Sequence, residues 1–444
     1  MHGKDQPYAL GGKIMAMTAP SWELPSTALT DSRNLRFFVV FILYVAQGLP
    51  LGLFYYALPA WQAQNGASAA AVGGVLAMTS LPWSLKLING VVMDRFSFLD
   101  MGRRRPWLIA GQTAIMLGLL LLAWTNPDAK AASILGAFAF AINVATTVQD
   151  VAIDGMAVDI IPETEFGRAN GFMFGGQAIG ISIGSALSGY LIAYYGFATA
   201  MLTLAALVGS ILSVVIIVRE RPGEKLLPWT AGTATASNFD RHLGAFLPIF
   251  RSLLRAMSER HTLIFLPAMF LCGAAYGLFT GWAPLFATNV VGWDDDIYAN
   301  WSGQANLLAG IAGALAFGFL AERWGARRVF TCSHMLTAVA AVALILVLPM
   351  EAVPTILITA IFAFTALQVL QQVTSSAVAM RCCAPAVAAT QFSLFMAVNN
   401  LGISLSSASL GMLDRWGGMQ AMVLALVAVG LLGAAFAIAA KVGR

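Results

Sequence analysis

Three charged side chains stand inside long apolar runs of the sequence: Lys86, Asp150 and Asp154. The segment QDVAIDGMAVD at 149–159 places the two aspartates four residues apart, so both carboxylates share one face if the run is helical. Burial and a second carboxylate favour the protonated form of a carboxyl group, whereas a nearby ammonium favours the ionised form. We therefore expect one aspartate to stay ionised beside Lys86 while the other takes up and releases a proton. The alternative is a structural ion pair between Lys86 and one aspartate that fixes helix packing.

The composition places these residues in a membrane protein. The chain has 444 residues, of which 59% are hydrophobic and 10% are charged, and its mean hydropathy is +0.77, values far from those of soluble domains. Apolar runs of about 20 residues, each able to cross a bilayer, recur along the chain without the alternating pattern of a barrel. The sequence predicts an all-α integral membrane protein with twelve transmembrane helices, at 36–61, 69–93, 107–125, 132–158, 169–194, 199–218, 261–289, 299–321, 329–349, 354–379, 389–412 and 419–441.

Lys86 and the two aspartates fall at similar depths in this scheme. At about 1.5 Å per residue, Asp150 and Asp154 lie roughly 15 and 9 Å from the end of the fourth helix, and Lys86 lies about 12 Å from Asp94 on the second. A charge at bilayer depth costs at least about 2.5 kcal/mol. Three charges at one level therefore favour a functional explanation.

The basic residues predict the orientation. With the N-terminus inside, the predicted outer segments keep only Lys130 and Arg415, so both termini are expected to be cytoplasmic. The net charge of +4 then reflects this topology and the anionic headgroups of membrane lipids, and no nucleic-acid partner is expected. Residues 1–35 are polar and lack an apolar core with a small-residue cleavage site, which predicts a cytoplasmic N-terminal tail without a signal peptide.

The chain divides into two related halves. Residues 219–258 form the longest polar connection, a predicted cytoplasmic linker between a six-helix bundle at 36–218 and a second one at 259–444. Two pairs of segments match between the halves: GLFYYALP (52–59) with GLFTGWAP (277–284), and GISIGSALSG (180–189) with GISLSSASLG (402–411). The matches indicate an internal duplication and therefore two pseudo-symmetric bundles.

The same alignment reveals a difference between the halves. Aligned on the GIS segments, Asp150 corresponds to Gln372 and Asp154 to Ser376, so the second half is neutral where the first is charged. If the carboxylates served only to build the fold, we would expect their counterparts to keep them. The difference favours chemistry in the N-terminal half and substrate contacts shared by both halves.

Basic turns follow the second and eighth predicted helices and share a pattern. GVVMDRFSFLDMGRRR begins at Gly90 and GFLAERWGARR begins at Gly318, and each has an acid–arginine pair four residues after its first glycine, then a glycine and basic residues. This pattern resembles the loop signature of the major facilitator superfamily. The resemblance implies two bundles around a central cavity that opens alternately to each side. It also implies a cytoplasmic gate made by Gly90, Asp94, Arg95, Arg103, Arg104, Gly318, Glu322, Arg323, Arg327 and Arg328.

Other charges stand near the same membrane edge. Asp159 is expected to join Glu163, Glu165 and Arg168 in a cytoplasmic cluster, which adds Asp159 and Arg168 to the predicted gate. For the arginines at 103–105, a simple role as positive-inside anchors is an equally good interpretation.

Polar and aromatic side chains on the predicted cavity helices are the candidate substrate contacts. They are Gln47, Tyr55, Tyr56, Gln149, Gln177, Tyr276, Trp282, Gln371, Gln372, Asn399 and Asn400. Amides combined with aromatics suit a large, polar, partly flat solute such as a sugar or amide conjugate. Buried amides also need hydrogen-bond partners within the membrane.

A narrower resemblance covers most of residues 36–200. LPWSLKLINGVVMDRFS, GRRRPWLIAGQ and VQDVAIDGMAVDIIPETEFGRANG resemble the AmpG-type permeases, which import anhydro-muropeptides from the bacterial periplasm. Related acetyl-CoA transporters and some siderophore permeases have similar patterns. The resemblance implies a bacterial inner-membrane protein and places Lys86, Asp150 and Asp159 on motifs of this branch. Phe166 departs from it, since the branch has a basic residue there.

We therefore expect a proton-coupled symporter, a monomer that imports a large polar solute, best represented by an anhydro-muropeptide, by alternating access. The sequence has no Walker-type phosphate loop, so an ion gradient would supply the energy. Siderophore or acyl-conjugate import on the same fold is one alternative. A membrane assembly factor or receptor is another, in which neutralising the buried charges would leave solute flux unchanged. Nucleophile triads and metal-ligand spacings are missing, so we expect no enzyme, cofactor or metal site.

Overall fold

The computed structural model describes residues 27–67, 69–240, 242–243, 245–293, 295–347 and 353–440, so most of the predicted N-terminal tail lies outside the described residues. Within them, twelve helices are long and apolar enough to span a membrane, which confirms the predicted all-α membrane fold. We number these helices α1 to α12. Their bounds are Arg33–Ala57, Gly74–Arg95, Arg105–Thr125, Ala132–Ile160, Glu163–Tyr195, Phe197–Ile217, Arg260–Val291, Asn300–Trp324, Ala326–Val347, Val353–Cys382, Pro385–Ser407 and Ser409–Ala439.

Several of these spans are not regular helices. α1, α7 and α8 contain π-helical turns at Leu53–Ala57, Ala287–Val291 and Gly313–Phe317, and α11 and α12 form one helical run that bends at Gly417 and Gly418. The connection between α6 and α7 carries two shorter helices, Ala236–Asp240 and Phe246–Ser258. We call the second of these the linker helix.

α2 is interrupted beside Pro82, a residue that has no N–H and crowds the preceding turn of a helix. The first helical segment ends at Ser84 and the second begins at Lys86. Between them the chain makes a tight turn in which the Leu85 N–H donates to the Pro82 carbonyl at 3.1 Å. Lys86 is therefore the first residue of a new helical segment in the middle of the span.

Helix pairs at equivalent places in the two halves approach closely at glycines. A Cβ atom on Gly48 of α1 would clash with the backbone of α5 at Gln177 and Ile181. A Cβ atom on Gly273 of α7 would likewise clash with the backbone of α11 at Asn399. Small residues allow such contacts between membrane helices. The α1–α5 pair of the first half is thus repeated as α7–α11 in the second.

The hydrophobic core shows which end of the molecule is closed. One cluster of buried side chains contains residues of both halves, among them Val40 and Met93 from the first and Phe265 and Phe392 from the second. Two further clusters each belong to a single half. We call the end with the shared cluster the basic end, because the arginine-rich turn at 96–104 lies there. The halves are joined at the basic end and separated towards the opposite end.

The first part of the connection after α6 is bound to the N-terminal half. The carboxylate of Glu220, which is fully buried, accepts hydrogen bonds from the backbone N–H groups of Arg103, Arg104 and Arg105 at 3.0, 2.7 and 2.6 Å. These N–H groups lie at the start of α3, where helix N–H groups lack intrahelical partners. Glu220 therefore fixes the turn between α2 and α3 from outside the bundle.

Candidate functional site

A cavity of about 700 Å³ lies between the two halves. Its wall is formed by α1, α2, α4 and α5 of the first half and by α7, α8, α10 and α11 of the second. The shared hydrophobic cluster closes it on the side of the basic end. Tyr56, at the far end of α1, lines the cavity and is 58% exposed. The cavity volume falls in the range of small-molecule binding sites.

Lys86, Asp150 and Asp154 all line this cavity, and all three are nearly buried. The Lys86 Nζ atom lies 3.0 Å from Oδ2 of Asp150, and the Gln47 side-chain amide donates to Oδ1 of the same carboxylate at 2.7 Å. Asp154 instead accepts a hydrogen bond of 2.5 Å from the Tyr44 hydroxyl. Lys86 therefore pairs with Asp150, and the contact described for Asp154 is with a neutral donor.

The local folding of three helices brings these groups together. Tyr44 and Gln47 are three residues apart on α1, and Asp150 and Asp154 are four apart on α4, so each pair shares a helix face. The break in α2 places Lys86 opposite Asp150. The Trp83 ring, one turn before Lys86, lies 6.0 Å from its Nζ atom. A tryptophan face at this distance favours the ammonium.

Seven of the predicted substrate contacts line the cavity: Tyr56, Gln177, Tyr276, Gln371, Gln372, Asn399 and Asn400. Their side chains come from both halves and supply amide donors and acceptors beside aromatic surface. The side chains that line the cavity thus have the composition expected of a binding site for a polar organic solute.

The structure places the other four predicted contacts elsewhere. The buried Gln47 side chain donates to the Asp150 carboxylate, and the buried Gln149 side chain donates to the Leu43 carbonyl at 2.9 Å. Tyr55 bonds to Ser80, with 3.1 Å between the hydroxyl oxygens. Trp282 is 2% exposed and stacks on Phe286 within the core of the second half. These positions differ from the prediction because residues one position apart on a helix point about 100° apart, and the sequence does not say which direction meets the cavity.

Several cavity residues were missed by the sequence analysis, among them Tyr44, Trp83, Tyr298, Asn306 and Gln368. Tyr44 lies one helical turn before Gln47 on the same face of α1, so this spacing could have identified it from the sequence. Tyr298 precedes the predicted eighth helix and has no such pattern. Its place at the cavity follows from how the two halves pack.

The basic end is closed by contacts that centre on Asp94, whose side chain is fully buried. Its carboxylate accepts from Nη2 of Arg104 at 2.6 Å. Across the interface, it accepts from the backbone N–H and the hydroxyl of Thr390 on α11, at 2.9 and 2.7 Å. Gly90 lies against the backbone of the same α11 segment, where a Cβ atom would meet the Cα atom of Thr390 at 2.8 Å. Asp94 and Gly90 therefore join α2 to α11 directly.

The counterpart of this contact joins α8 to α5. Nη2 of Arg168 lies 2.7 Å from Oε2 of Glu322, and the Arg168 N–H donates to the other carboxylate oxygen at 3.0 Å. Gly318 packs on the backbone of Arg168, where a Cβ atom would meet its Cα atom at 2.6 Å. Both acids of the duplicated loop pattern thus bind the opposite half.

The basic residues of the loop pattern behave differently from one another. Arg103 and Arg104 are fully buried and bind Asp159 at 3.0 and 3.3 Å. Burial and the neighbouring Arg104 lower the pKa of Arg103, whereas Asp94 and Asp159 raise the pKa of Arg104 despite its burial.

Arg95 was expected to hold the halves together, yet its guanidinium stacks on Phe96 and on Phe246 of the linker helix, 4.8 and 5.8 Å from the ring centres. Arg323 and Arg328 are exposed and Arg327 is half-buried. An aromatic face is available to Arg95 because α2 ends beside the linker helix.

The residues of the predicted cluster, Asp159, Glu163, Glu165 and Arg168, bind different partners. Asp159 binds the arginines of the turn between α2 and α3, whereas Glu165 binds Arg33 and Arg36 of α1 at 3.1 and 2.9 Å. The reason is the turn at Pro162, which ends α4 and starts α5 in a new direction. Neighbours in sequence on either side of this turn therefore face different helices.

The chain matches a family model and several curated proteins. The family model described as the Major Facilitator Superfamily matches residues 37–407. Over 162 residues the chain is 28% identical to the putative transporter AmpG 4 of Rickettsia felis, covering 36% of this chain and 39% of that protein. Over 167 residues it is 26% identical to the anhydromuropeptide permease of Escherichia coli K12, covering 36% of this chain and 34% of that protein. These matches span little more than a third of the length of the curated relatives.

The fold also resembles solved structures over most of its length. A crystal structure of the E. coli fucose:proton symporter FucP superimposes with a TM-score of 0.69, covering 92% of this chain and 98% of that one, at 13% sequence identity. At this identity the likeness concerns the fold alone.

Proposed function

Because the chain belongs to the major facilitator superfamily and is a transporter related to AmpG-type proteins, we propose that it is a proton-coupled importer of a large polar solute. In this proposal, residues 36–218 and 259–444 move as the two bundles of an alternating-access cycle. The basic end faces the cytoplasm of a bacterial cell by the positive-inside rule, and the protein works as a monomer in the inner membrane. The present structure then corresponds to the state with its cytoplasmic end closed.

The proposed proton coupling is supported by the different hydrogen-bond and ion-pair partners of Asp150 and Asp154 on the cavity wall. Lys86 lies against Asp150, which also accepts from Gln47, whereas Asp154 contacts the neutral Tyr44 hydroxyl. With both aspartates ionised, this group has one net negative charge inside the membrane. Enclosing an unpaired charge is costly, so closure of the cavity favours the form in which Asp154 holds a proton. Asp154 is therefore our choice for the titrating group.

This coupling can drive accumulation against a gradient. Asp154 would take up a proton while the cavity faces the outside and release it after the basic end opens. Opening requires that the Arg168–Glu322 pair and the Asp94–Thr390 contacts separate. One proton moving down roughly 150 mV supplies about 3.5 kcal/mol, which is enough for a few-hundredfold accumulation of a neutral solute.

For the solute we propose a sugar-peptide of the anhydro-muropeptide type. Amides such as Gln177, Gln372 and Asn400 on the cavity wall can bond to hydroxyl and peptide groups, and Tyr56 and Tyr276 offer flat surfaces for a sugar ring. The E. coli relative is named for anhydromuropeptide transport, and this name supports the choice of solute.

The test uses proteoliposomes that contain a pH-sensitive dye. An anhydro-muropeptide is added outside, and acidification of the lumen is followed for the wild type, for Asp154→Asn and for Ser376→Ala, the corresponding position of the second half. We expect acidification in the wild type and in Ser376→Ala, and none in Asp154→Asn.

Two results would overturn parts of the proposal separately. Acidification in Asp154→Asn that equals the wild-type signal would remove Asp154 from the coupling mechanism, and the same comparison with Asp150→Asn would then decide for the other carboxylate. Uptake of the labelled muropeptide without acidification in the wild type would keep the solute and reject the proton.

A further inference from the structure

The linker helix, Phe246–Ser258, has an apolar face that is about half exposed. Phe246, Phe250 and Leu254 recur every four residues, so they lie on one side of the helix, and Leu247 borders them. Their exposed fractions are 45%, 48%, 66% and 59%. Exposed apolar side chains in a row on a surface helix indicate a surface that another apolar phase covers.

A basic face adjoins the apolar one. Arg251 and Arg255 each follow an exposed apolar residue by one position, which is about 100° further round the helix, and both are exposed. The remaining side of the helix, with Ile249 and Ala256, is buried against the protein. The helix therefore presents three separate sides: one to the protein, one apolar and one basic.

Contacts with both halves hold this helix at the basic end. Its residues pack on the second segment of α2, on the start of α11 and on α7. The Phe246 ring meets Phe96 at 6.1 Å between ring centres, and the Arg95 guanidinium lies over it. The helix is thus a fixed part of the molecule with a defined outward surface.

The chain also fixes the helix at the level of the membrane surface. The linker helix ends at Ser258, and the membrane span α7 begins two residues later at Arg260. The linker helix also packs on the basic ends of α2 and α11. Because both of these helices span the membrane, they hold the linker helix next to the bilayer surface. Amphipathic helices with basic and apolar faces lie in this position in the plane of the membrane interface.

We propose that the linker helix docks on anionic phospholipid, with its apolar face inserted among the acyl chains and Arg251 and Arg255 on the lipid phosphates. The charge of the two arginines selects an acidic headgroup, and each basic residue near an anionic surface contributes about 1 kcal/mol. The lipid bound here is separate from any solute in the cavity, so this inference does not depend on the transport activity.

The test places a fluorophore on the apolar face of the full-length protein. Exposed Cys332 and half-buried Cys383 are replaced by serine, Leu254→Cys is labelled, and the protein is reconstituted in phosphatidylcholine vesicles that contain nitroxide-labelled phosphatidylglycerol or phosphatidylcholine. We expect quenching by both labelled lipids, stronger with phosphatidylglycerol, and weak quenching by aqueous iodide.

Arginine variants then test the basic face. Arg251→Gln and Arg255→Gln should each lower the preference for phosphatidylglycerol about fivefold, whereas Arg251→Lys with Arg255→Lys should retain it. Arg415→Gln, an exposed arginine near the opposite end, is the matched control and should have no effect.

Three outcomes would overturn the proposal. Strong iodide quenching without lipid quenching would place the apolar face in water or under a soluble partner. Equal quenching by the two lipids would reject selection of anionic headgroups. A preference that survives both glutamine variants would reject the assigned arginines.

Discussion

The two halves of the molecule share a helix arrangement but form cavity walls of different character. The α1–α5 contact at Gly48 is repeated by the α7–α11 contact at Gly273. On the first wall, however, Lys86, Asp150 and Asp154 are charged. In the second half the counterparts of the two aspartates are Gln372, which lines the cavity, and Ser376, which is fully buried. Packing of backbones is thus duplicated while the charge is confined to one half.

The partners of the charged group are also missing from the second wall. By the match of GLFYYALP with GLFTGWAP, Gln47 corresponds to Cys272, and by the match of the basic turns, Lys86 corresponds to Ala314. A buried carboxylate without such partners would be unfavourable. The charged residues therefore form one interdependent set, which is present as a whole in one half and replaced as a whole in the other.

The largest expected effect comes from breaking this set at its cation. Lys86→Met leaves Asp150 buried without its ion-pair partner, and we expect the free energy of unfolding to fall by about 3–5 kcal/mol. Thermal unfolding in detergent measures this change. The double variant Lys86→Met with Asp150→Asn should regain most of the stability because no lone charge is left, while coupled transport stays lost. A matching loss in Gln372→Met would contradict the difference between the walls.

The next effect concerns energy coupling. Under the proposed coupling, accumulation of labelled solute in an imposed proton gradient should drop in Asp154→Asn from a few hundredfold to about one, since one proton would supply about 3.5 kcal/mol at roughly 150 mV. Exchange of solute across the membrane without a gradient should continue. Exchange and accumulation are measured in the same proteoliposomes. If exchange disappears as well, Asp154 holds the cavity together and does not serve the proton alone.

The two acids of the gate provide a smaller contrast. Asp94→Asn weakens several charge-assisted hydrogen bonds of a fully buried group, each worth about 1.5–3 kcal/mol. The Glu322 and Arg168 side chains are 12% and 29% exposed, and Glu322→Gln should cost about 1 kcal/mol or less. Opening of the basic end is followed by the labelling rate of Cys383 with a maleimide in the Cys332→Ser background. Equal acceleration in both variants would show that the two contacts have the same strength.

The smallest effect is a pH dependence in the first part of the connection after α6, which Glu220 binds to the turn between α2 and α3. Burial and the nearby Glu220 raise the pKa of Glu224 from 4.5 to about 7. Between these values the folded protein binds more protons than the unfolded chain, so stability falls as the pH rises from about 4.5 to 7. Glu224→Gln should remove this slope in thermal unfolding measured across the same range. An unchanged slope in the variant would assign the effect to another group.

Much of the fold follows from the sequence because the bilayer imposes a fixed length on each apolar run. The α2 and α4 spans were predicted within a few residues of their observed bounds, and the charges Lys86, Asp150 and Asp154 were expected to meet. The pairing within this group was open in the sequence, since both aspartates share a helix face. The partner of Asp159 was likewise not evident from the sequence. Asp159 binds Arg103 and Arg168 binds Glu322, because the turn at Pro162 makes residues on its two sides face different helices.

The membrane class, the twelve spans, the duplication and the concentration of charge in one half can be read from the sequence, since hydropathy and internal matches do not depend on tertiary packing. Helix packing sets which polar and aromatic residues face the cavity and which are buried elsewhere, as Gln372 and Trp282 illustrate. Packing also sets the contacts of Lys86 with Asp150 and of Asp154 with Tyr44. Such choices depend on the relative rotation of neighbouring helices, and this rotation is set by packing across the whole bundle.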